Sequence, residues 1–239
     1  MPVNAKTASG GGDFVRQEAM DAGTYPCRVV QAIFFGLQEQ RPFKGTPKDP
    51  RDEVGYTYEF LDEFCLDDDG EEDKERPRWL SERFPVHNIE VDNATSSKRI
   101  KVLDPEDNLD GDFLAVIGTP CMVTITKTVN KKDQEVNYVA TISAMREKDA
   151  KKAAVLVNEA TVFDVDEPNQ EVFDSFPDWI KEKLRTNLGY KGSALEEMLE
   201  GGGTSDHATD DDDDEDEPVE KKGKKKGKKK AVKDEDTNW

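Results

Sequence analysis

The sequence reads as mainly β: a small antiparallel barrel of five strands, with one helix between the third and fourth. Three observations predict it. Alternating apolar and polar residues recur in five strand-length runs, separated by clusters of Pro, Gly, Asn and Asp. One helix-like stretch, NATSSKRIKVLDPE, interrupts them after the third run. The last two runs are parted only by NKKDQ, the clearest hairpin in the chain. Three strands, a helix and a two-stranded hairpin is the order that a five-stranded OB-like barrel requires. The same element count also suits another antiparallel barrel or an α+β sheet.

Residues 1–20 are polar and glycine-rich at the start and predict a flexible lead. Thr24 to Gln38 forms the first strand, with Tyr25, Cys27 and Val29 alternating before an apolar patch at Ile33 to Phe35, and with Gly36 as a bulge. Arg41 to Arg51 reads as a basic, Pro/Gly-rich loop carrying Phe43. The second strand runs from about Val54 to Leu66, with Tyr56, Tyr58 and Phe60 on one face; Asp67 to Arg76 is an acidic solvent loop; the third strand is Trp79 to Val86. Asn93 or Thr95 caps a short helix over Ser96 to Leu103, which ends before Pro105. Phe113 to Ile117 adds a turn, and Cys121 to Val129 with Glu135 to Met145 makes the closing hairpin.

This core, residues 21–147, is followed over 148–200 by a strap and a helical extension. Val162 to Asp166 reads as a short strand or a strap, and Ser175 to Leu188 as an amphipathic helix with Ser175 at its cap. Its Trp179, Ile180 and Leu184 point inward and Lys181, Lys183 and Arg185 outward, and Ser193 to Leu199 adds another turn or two. These helices pack back on the barrel or on a second subunit, which leaves a homodimer open.

Residues 201–239 cannot build a core, because almost nothing in them is apolar enough to offset the entropy of ordering. They read as a disordered arm in three charge blocks: acidic Asp210 to Glu217, lysine-rich Lys221 to Lys230, and a closing DEDTNW. An acidic cluster followed by a terminal aromatic is a compact docking peptide, in which Asp234, Glu235 and Asp236 steer to a basic partner and Trp239 fills a pocket.

Net charge is −19 over 239 residues. Thirteen acids against nine bases from Gly201 onward leave −15 on the body. An acidic body argues against tight duplex binding through a broad basic face, yet it is compatible with one local basic groove. Cys27, Cys65 and Cys121 are isolated and read as reduced thiols, and His87 and His207 are the only histidines. Neither set has metal-ligand spacing, so no metal or cofactor is implied, and no 18-residue apolar span suggests a membrane.

The chain carries no phosphate loop, nucleophile elbow or histidine pair, so it reads as a binder and not an enzyme. Single strands are held by aromatic faces that stack bases and by cations that track phosphates. Candidates are Phe43, Lys44, Tyr56, Tyr58, Arg78, Trp79 and Tyr138, with Lys98, Arg99 and Lys101 beside the helix and Lys127, Lys131 and Lys132 around the last turn. In an OB barrel, strands two and three and the hairpin loops face the ligand, so most of these residues would converge.

Several stretches carry a resemblance: the GGG lead into AGTYPCRVVQAIFFGLQEQ, then YTYEFLDEFCLDDDGEEDKERPRWLSERF, DGDFLAVIGTPCMVTI, and VFDVDEPN followed by FPDWIKEKL. Together they cover most of Gly10 to Leu188, and in pattern and order they resemble phage-encoded single-stranded DNA-binding proteins with an OB-fold core. The tail is similar to the acidic, aromatic-ended tails of bacterial and phage single-strand binders, a pattern that falls on Asp234, Glu235, Asp236 and Trp239. It departs from them in ending with Trp239 where phenylalanine is usual, and in carrying a lysine block. The resemblance implies a role in phage DNA replication or recombination in the host cytoplasm, with single-stranded DNA in the barrel and a polymerase, helicase or nuclease on the tail. Two other classes compete: an acidic histone-like chaperone or scaffolding protein, and a nucleic-acid enzyme subunit using Asp62, Glu63, Asp67, Asp68 and Asp69 for a metal.

Overall fold

The structure is a computed structural model that describes residues 17–201. The charged tail, with Asp234, Glu235, Asp236 and Trp239, and most of the N-terminal lead lie outside the described residues.

Among the described residues, six strands and five helices follow in order: β1 Gly23–Phe43, β2 Thr46–Leu66, β3 Glu72–Pro85, α1 Thr95–Leu103, β4 Pro120–Val129, β5 Glu135–Ala144, α2 Glu147–Ala150, β6 Thr161–Asp164, α3 Gln170–Ser175, α4 Asp178–Arg185 and α5 Ala194–Gly201. The mainly β class, the helix between the third and fourth strands and the closing hairpin are as expected. The sheet runs β3-β2-β1-β4-β5 with antiparallel neighbours, and β6 lies parallel to β1. It therefore has six strands, not five, and it is not closed: no backbone ladder joins β3 to β5.

The basic segment 41–51 is not a loop. β1 and β2 are both 21 residues long and continue to a two-residue turn at Lys44 and Gly45, with Phe43 paired to Thr46. Positive φ at both turn residues, 50° and 82°, matches the right-handed twist of the flanking strands. Half of the segment expected as an acidic loop is likewise strand, since β3 already begins at Glu72 and a tight turn from Asp67 joins it to β2. There Asp67 Oδ1 accepts from the amides of Asp69 and Glu71, so this carboxylate serves the turn itself.

β1 explains its own apolar run. Its register slips between Phe34 and Leu37, where Gly36 sits at φ 70°, so Gly36 is the bulge anticipated from sequence. The bent strand pairs with β4 through Gly23 to Arg28 and with β6 through Gln31 to Phe34. These ladders occupy its edges, while its two faces meet separate apolar clusters, and a strand buried on two sides reads as continuous hydrophobe. On the inner face Val29 and Ala32 join Tyr56, Tyr58, Phe60, Phe84, Val123 and Ile125, capped by Ile100 and Leu103 of α1. On the outer face Ile33 and Phe35 join Phe163, Phe173, Phe176, Ile180, Leu184 and Leu195. The helical extension thus packs on the sheet of its own chain.

Three local expectations fail at helix ends. The α1 N-cap is Ala94, without a side-chain cap bond. The helix expected over 175–188 is the shorter α4 over 178–185, and a separate α3 ends ahead of it at Ser175, the two parted at Phe176 and Pro177 because proline at the start of α4 cannot donate to α3. Ser175 therefore ends α3 and does not cap α4, whose Trp179 is also 40% exposed where an inward position was expected. Among the described residues no helix is long and apolar enough to cross a membrane.

Candidate nucleic-acid interface

The open seam of the sheet is a groove of about 820 Å³. Its walls are Ser81 to Pro85 on β3 and Val136 to Ala140 on β5; Thr95 and Arg99 of α1 contribute, and the turn end of the β1–β2 hairpin adds Arg41 and Lys48. Lys183 of α4 reaches it from the helical extension. Among the described residues, five cations line it (Arg41, Lys48, Arg83, Arg99 and Lys183) against three carboxylates, Glu39, Glu53 and Glu82. A net positive groove in a body of charge −15 is a local inversion of sign, and it focuses the field toward anions.

Two ion-pair systems organise these charges. Beneath the groove, Arg99 is buried and makes a bidentate pair with Glu82, at 2.7 and 2.9 Å, while Tyr58 donates to Glu82 Oε1 at 2.7 Å. Burial alone would lower the pKa of Arg99, but the hydrogen bonds and charge of Glu82 outweigh it and hold it above the usual value. Arg99 is thus committed to the framework, a correction to its assignment as a phosphate contact. Farther along β2 from the turn, Arg83 and Lys183 both meet the same oxygen, Glu53 Oε1, at 3.2 and 3.1 Å. Burial, and then the charge of Arg41, push the Arg83 pKa down in spite of Glu53. Lys183 is lowered likewise by burial, with Arg83 and Arg41 adding to it.

The predicted site residues divide sharply. Tyr138 lines the groove and is exposed. Phe43 caps the β1–β2 hairpin, 59% exposed, with the ammonium groups of Lys44 and Lys48 each 5.3 Å from its ring centre. That places an aromatic and two cations together at the end of the hairpin that walls the groove. Trp79 is 49% exposed and donates to Glu59 Oε2 at 3.3 Å; it shares one face of β3 with Ser81 and Arg83.

Tyr56 and Tyr58 are core, a correction forced by their burial to 1% and 0%. Tyr56 donates to the Phe113 carbonyl at 2.9 Å and packs edge-on against Phe84. Burial, with Glu82 next, raises both phenol pKa values. Arg78 is half-buried and bonds the Glu18 carbonyl. Lys98 and Lys101 are exposed on α1 but do not line the groove, and Lys101 pairs with Asp92 at 2.6 Å. Lys127 turns to Asp21 at 3.0 Å, whose hydrogen bond raises its pKa. Lys131 and Lys132 stand exposed at the β4–β5 turn, outside the groove lining.

Sequence reasoning missed Arg41, Lys48, Arg83 and Lys183. Arg83 was legible as the residue four after Trp79 on the same strand face. Lys183 was not, because the helix pattern put it on the outward side and only the docking of α4 turns it to the groove. No family model matches this chain, and no curated protein matches it.

Proposed function

We propose that this protein binds single-stranded DNA in the seam between β3 and β5, and that the sheet is a variant of the OB-like barrel in which this seam is left open for the ligand. The observation that carries the reading is the groove itself: cations exceed carboxylates there while the rest of the body is strongly acidic. Exposed aromatics at its wall and on neighbouring elements, Tyr138, Phe43 and Trp79, supply faces on which bases can stack. Arg41, Lys48, Arg83 and Lys183 supply the cations that release counterions from phosphates. Binding of this kind has little sequence preference and is sensitive to salt.

The resemblance to phage single-stranded DNA-binding proteins supports a place in phage replication or recombination within the host cytoplasm. In that setting Asp234, Glu235, Asp236 and Trp239 recruit a replication enzyme. Titration of the full chain with fluorescent oligo(dT) and a matched duplex, at low and at physiological salt, tests the reading. Tight, salt-sensitive binding to the single strand with much weaker duplex binding is expected. No binding of oligo(dT) at low salt, together with binding to a basic protein, would favour the acidic chaperone instead.

A further inference from the structure

Glu59 of β2 is the register partner of Trp79 on β3, and it has no exposed surface. Its Oε1 accepts from the Val157 amide at 2.7 Å. Its Oε2 accepts from the Asn158 amide at 3.2 Å, the Asn158 side chain at 2.7 Å and the Trp79 indole at 3.3 Å. All four donors are neutral. Burying a carboxylate costs free energy, but a carboxylate has two oxygens with about four lone-pair sites, enough for four donors at once. Strap and indole are thereby tied to one buried point. Trp79 nevertheless stays 49% exposed, so its N–H edge is fixed while much of the ring meets solvent. It lies two residues before Ser81 on the same face of β3, about 7 Å along the strand. Ser81 lines the groove, and its hydroxyl is held 2.8 Å from that of Thr57. A fixed, exposed aromatic thus stands one step beyond the end of the groove wall.

We propose that Trp79 stacks a base of the bound strand where it leaves the groove past Ser81, and that Glu59 is the positioning residue that holds the indole for it. The inference rests on the single-strand reading of the groove and extends the path of the strand along β3. It gives the buried carboxylate a purpose: a ring already ordered in the free protein loses little freedom when a base stacks on it. The same carboxylate makes the strap over Val157 and Asn158 part of the support of the binding surface.

A double-mutant cycle on the full-length protein tests it, with oligo(dT) affinity read well below the melting temperatures. Trp79→Ala weakens binding about 10-fold, the loss of one stacked base. Glutamine offers one acceptor oxygen to the four donors, so Glu59→Gln loosens the indole and weakens binding about 2- to 10-fold, the ordering cost of one side chain. Charge alone predicts the opposite sign, since removing a carboxylate favours a polyanion. Neither group touches a phosphate, so the salt slope stays that of the wild type. In a Trp79→Ala background Glu59→Gln has no further effect on affinity, an outcome that general structural damage does not produce. Should Glu59→Gln fail to fold, Trp79→Phe decides, because it keeps a ring but has no N–H for Glu59; an affinity between those of wild type and Trp79→Ala is expected. Wild-type affinity in Trp79→Ala overturns the stacking. Tighter or unchanged binding in Glu59→Gln, an equal loss in both backgrounds, or wild-type affinity in Trp79→Phe overturns the positioning role. Each of these leaves the single-strand reading intact, whereas absence of oligo(dT) binding by the wild type overturns both.

Discussion

Arg28 on β1 and Glu59 on β2 stand opposite one another in the strand register, and both direct their charge to the backbone of the strap that follows α2. Arg28 donates to the carbonyls of Ala154 and Ala153, at 2.8 and 3.4 Å, and to Gly118 at 2.7 Å. Glu59, with no exposed surface, accepts from the amides of Val157 and Asn158 at 2.7 and 3.2 Å, from the Asn158 side chain at 2.7 Å and from Trp79. A cross-strand pair of opposite charge thus becomes a two-ended latch on one segment.

Replacing Glu59 with alanine leaves these donors without their acceptor. We expect a loss of about 3 kcal/mol in urea unfolding and new protease cleavage within Ala153 to Asn158. Loss of stability without cleavage there would show that Glu59 serves the sheet and not the strap.

Phe43 and Tyr58 separate binding from folding. Phe43→Ala, at an exposed hairpin end, should change stability by no more than about 0.5 kcal/mol and weaken oligo(dT) binding by about 1–3 kcal/mol. Tyr58→Ala removes a fully buried ring and should cost about 3–5 kcal/mol of stability. Equal effects of both on folding would contradict the placement of Phe43.

Asp62 has its pKa raised by partial burial, and Glu63 has its raised by burial and then by Asp62. A carboxyl whose folded pKa lies above its unfolded value disfavours the folded state at neutral pH, and this penalty fades as pH falls through the folded pKa toward the unfolded one. Asp62→Asn should therefore raise the melting temperature at pH 7, with the gain disappearing in the acid carboxylate range. A gain that grows toward acid pH would have the wrong sign.

Cys27 and Cys121 are register partners on β1 and β4, both buried, and Cys65 is half-buried. Burial raises the pKa of both core thiols, that of Cys121 to about 12. At pH 8 a thiol reagent should modify Cys65 first and reach the other two only on unfolding. Equal rates for all three in the native protein would refute the burial.

Deleting 202–239 tests whether the acidic arm, a polyanion on the same chain as a cationic groove, competes with DNA for it. Truncation should tighten oligo(dT) binding at low salt and leave the melting temperature of the body within a few degrees. Unchanged or weaker binding would remove the arm from the DNA-binding mechanism.

Much of the fold was legible in the chain itself. Alternation and turn residues located the β4–β5 hairpin to within a residue and α1 to within one turn, because hairpins and short helices are set by neighbours in sequence. The Gly36 bulge was legible because only glycine readily takes its positive φ. The basic segment 41–51 was misread because proline and glycine punctuate loops and long hairpin ends alike. That the short strand expected near Val162 joins the sheet beside β1, and that the seam stays open, depend on pairings between residues far apart in sequence.

By itself, then, the sequence determined the strands, the helix that interrupts them, and the shared face of Tyr56, Tyr58 and Phe60. It could not say which face was inside, since a period of two specifies sides without naming the one that meets the core. Tertiary structure decided that those tyrosines are core, that Arg99 belongs to Glu82, and that Arg83 of β3 and Lys183 of α4 share one oxygen of Glu53. The physical reason is that burial and ion pairing come from packing, and packing brings together residues that no local pattern connects.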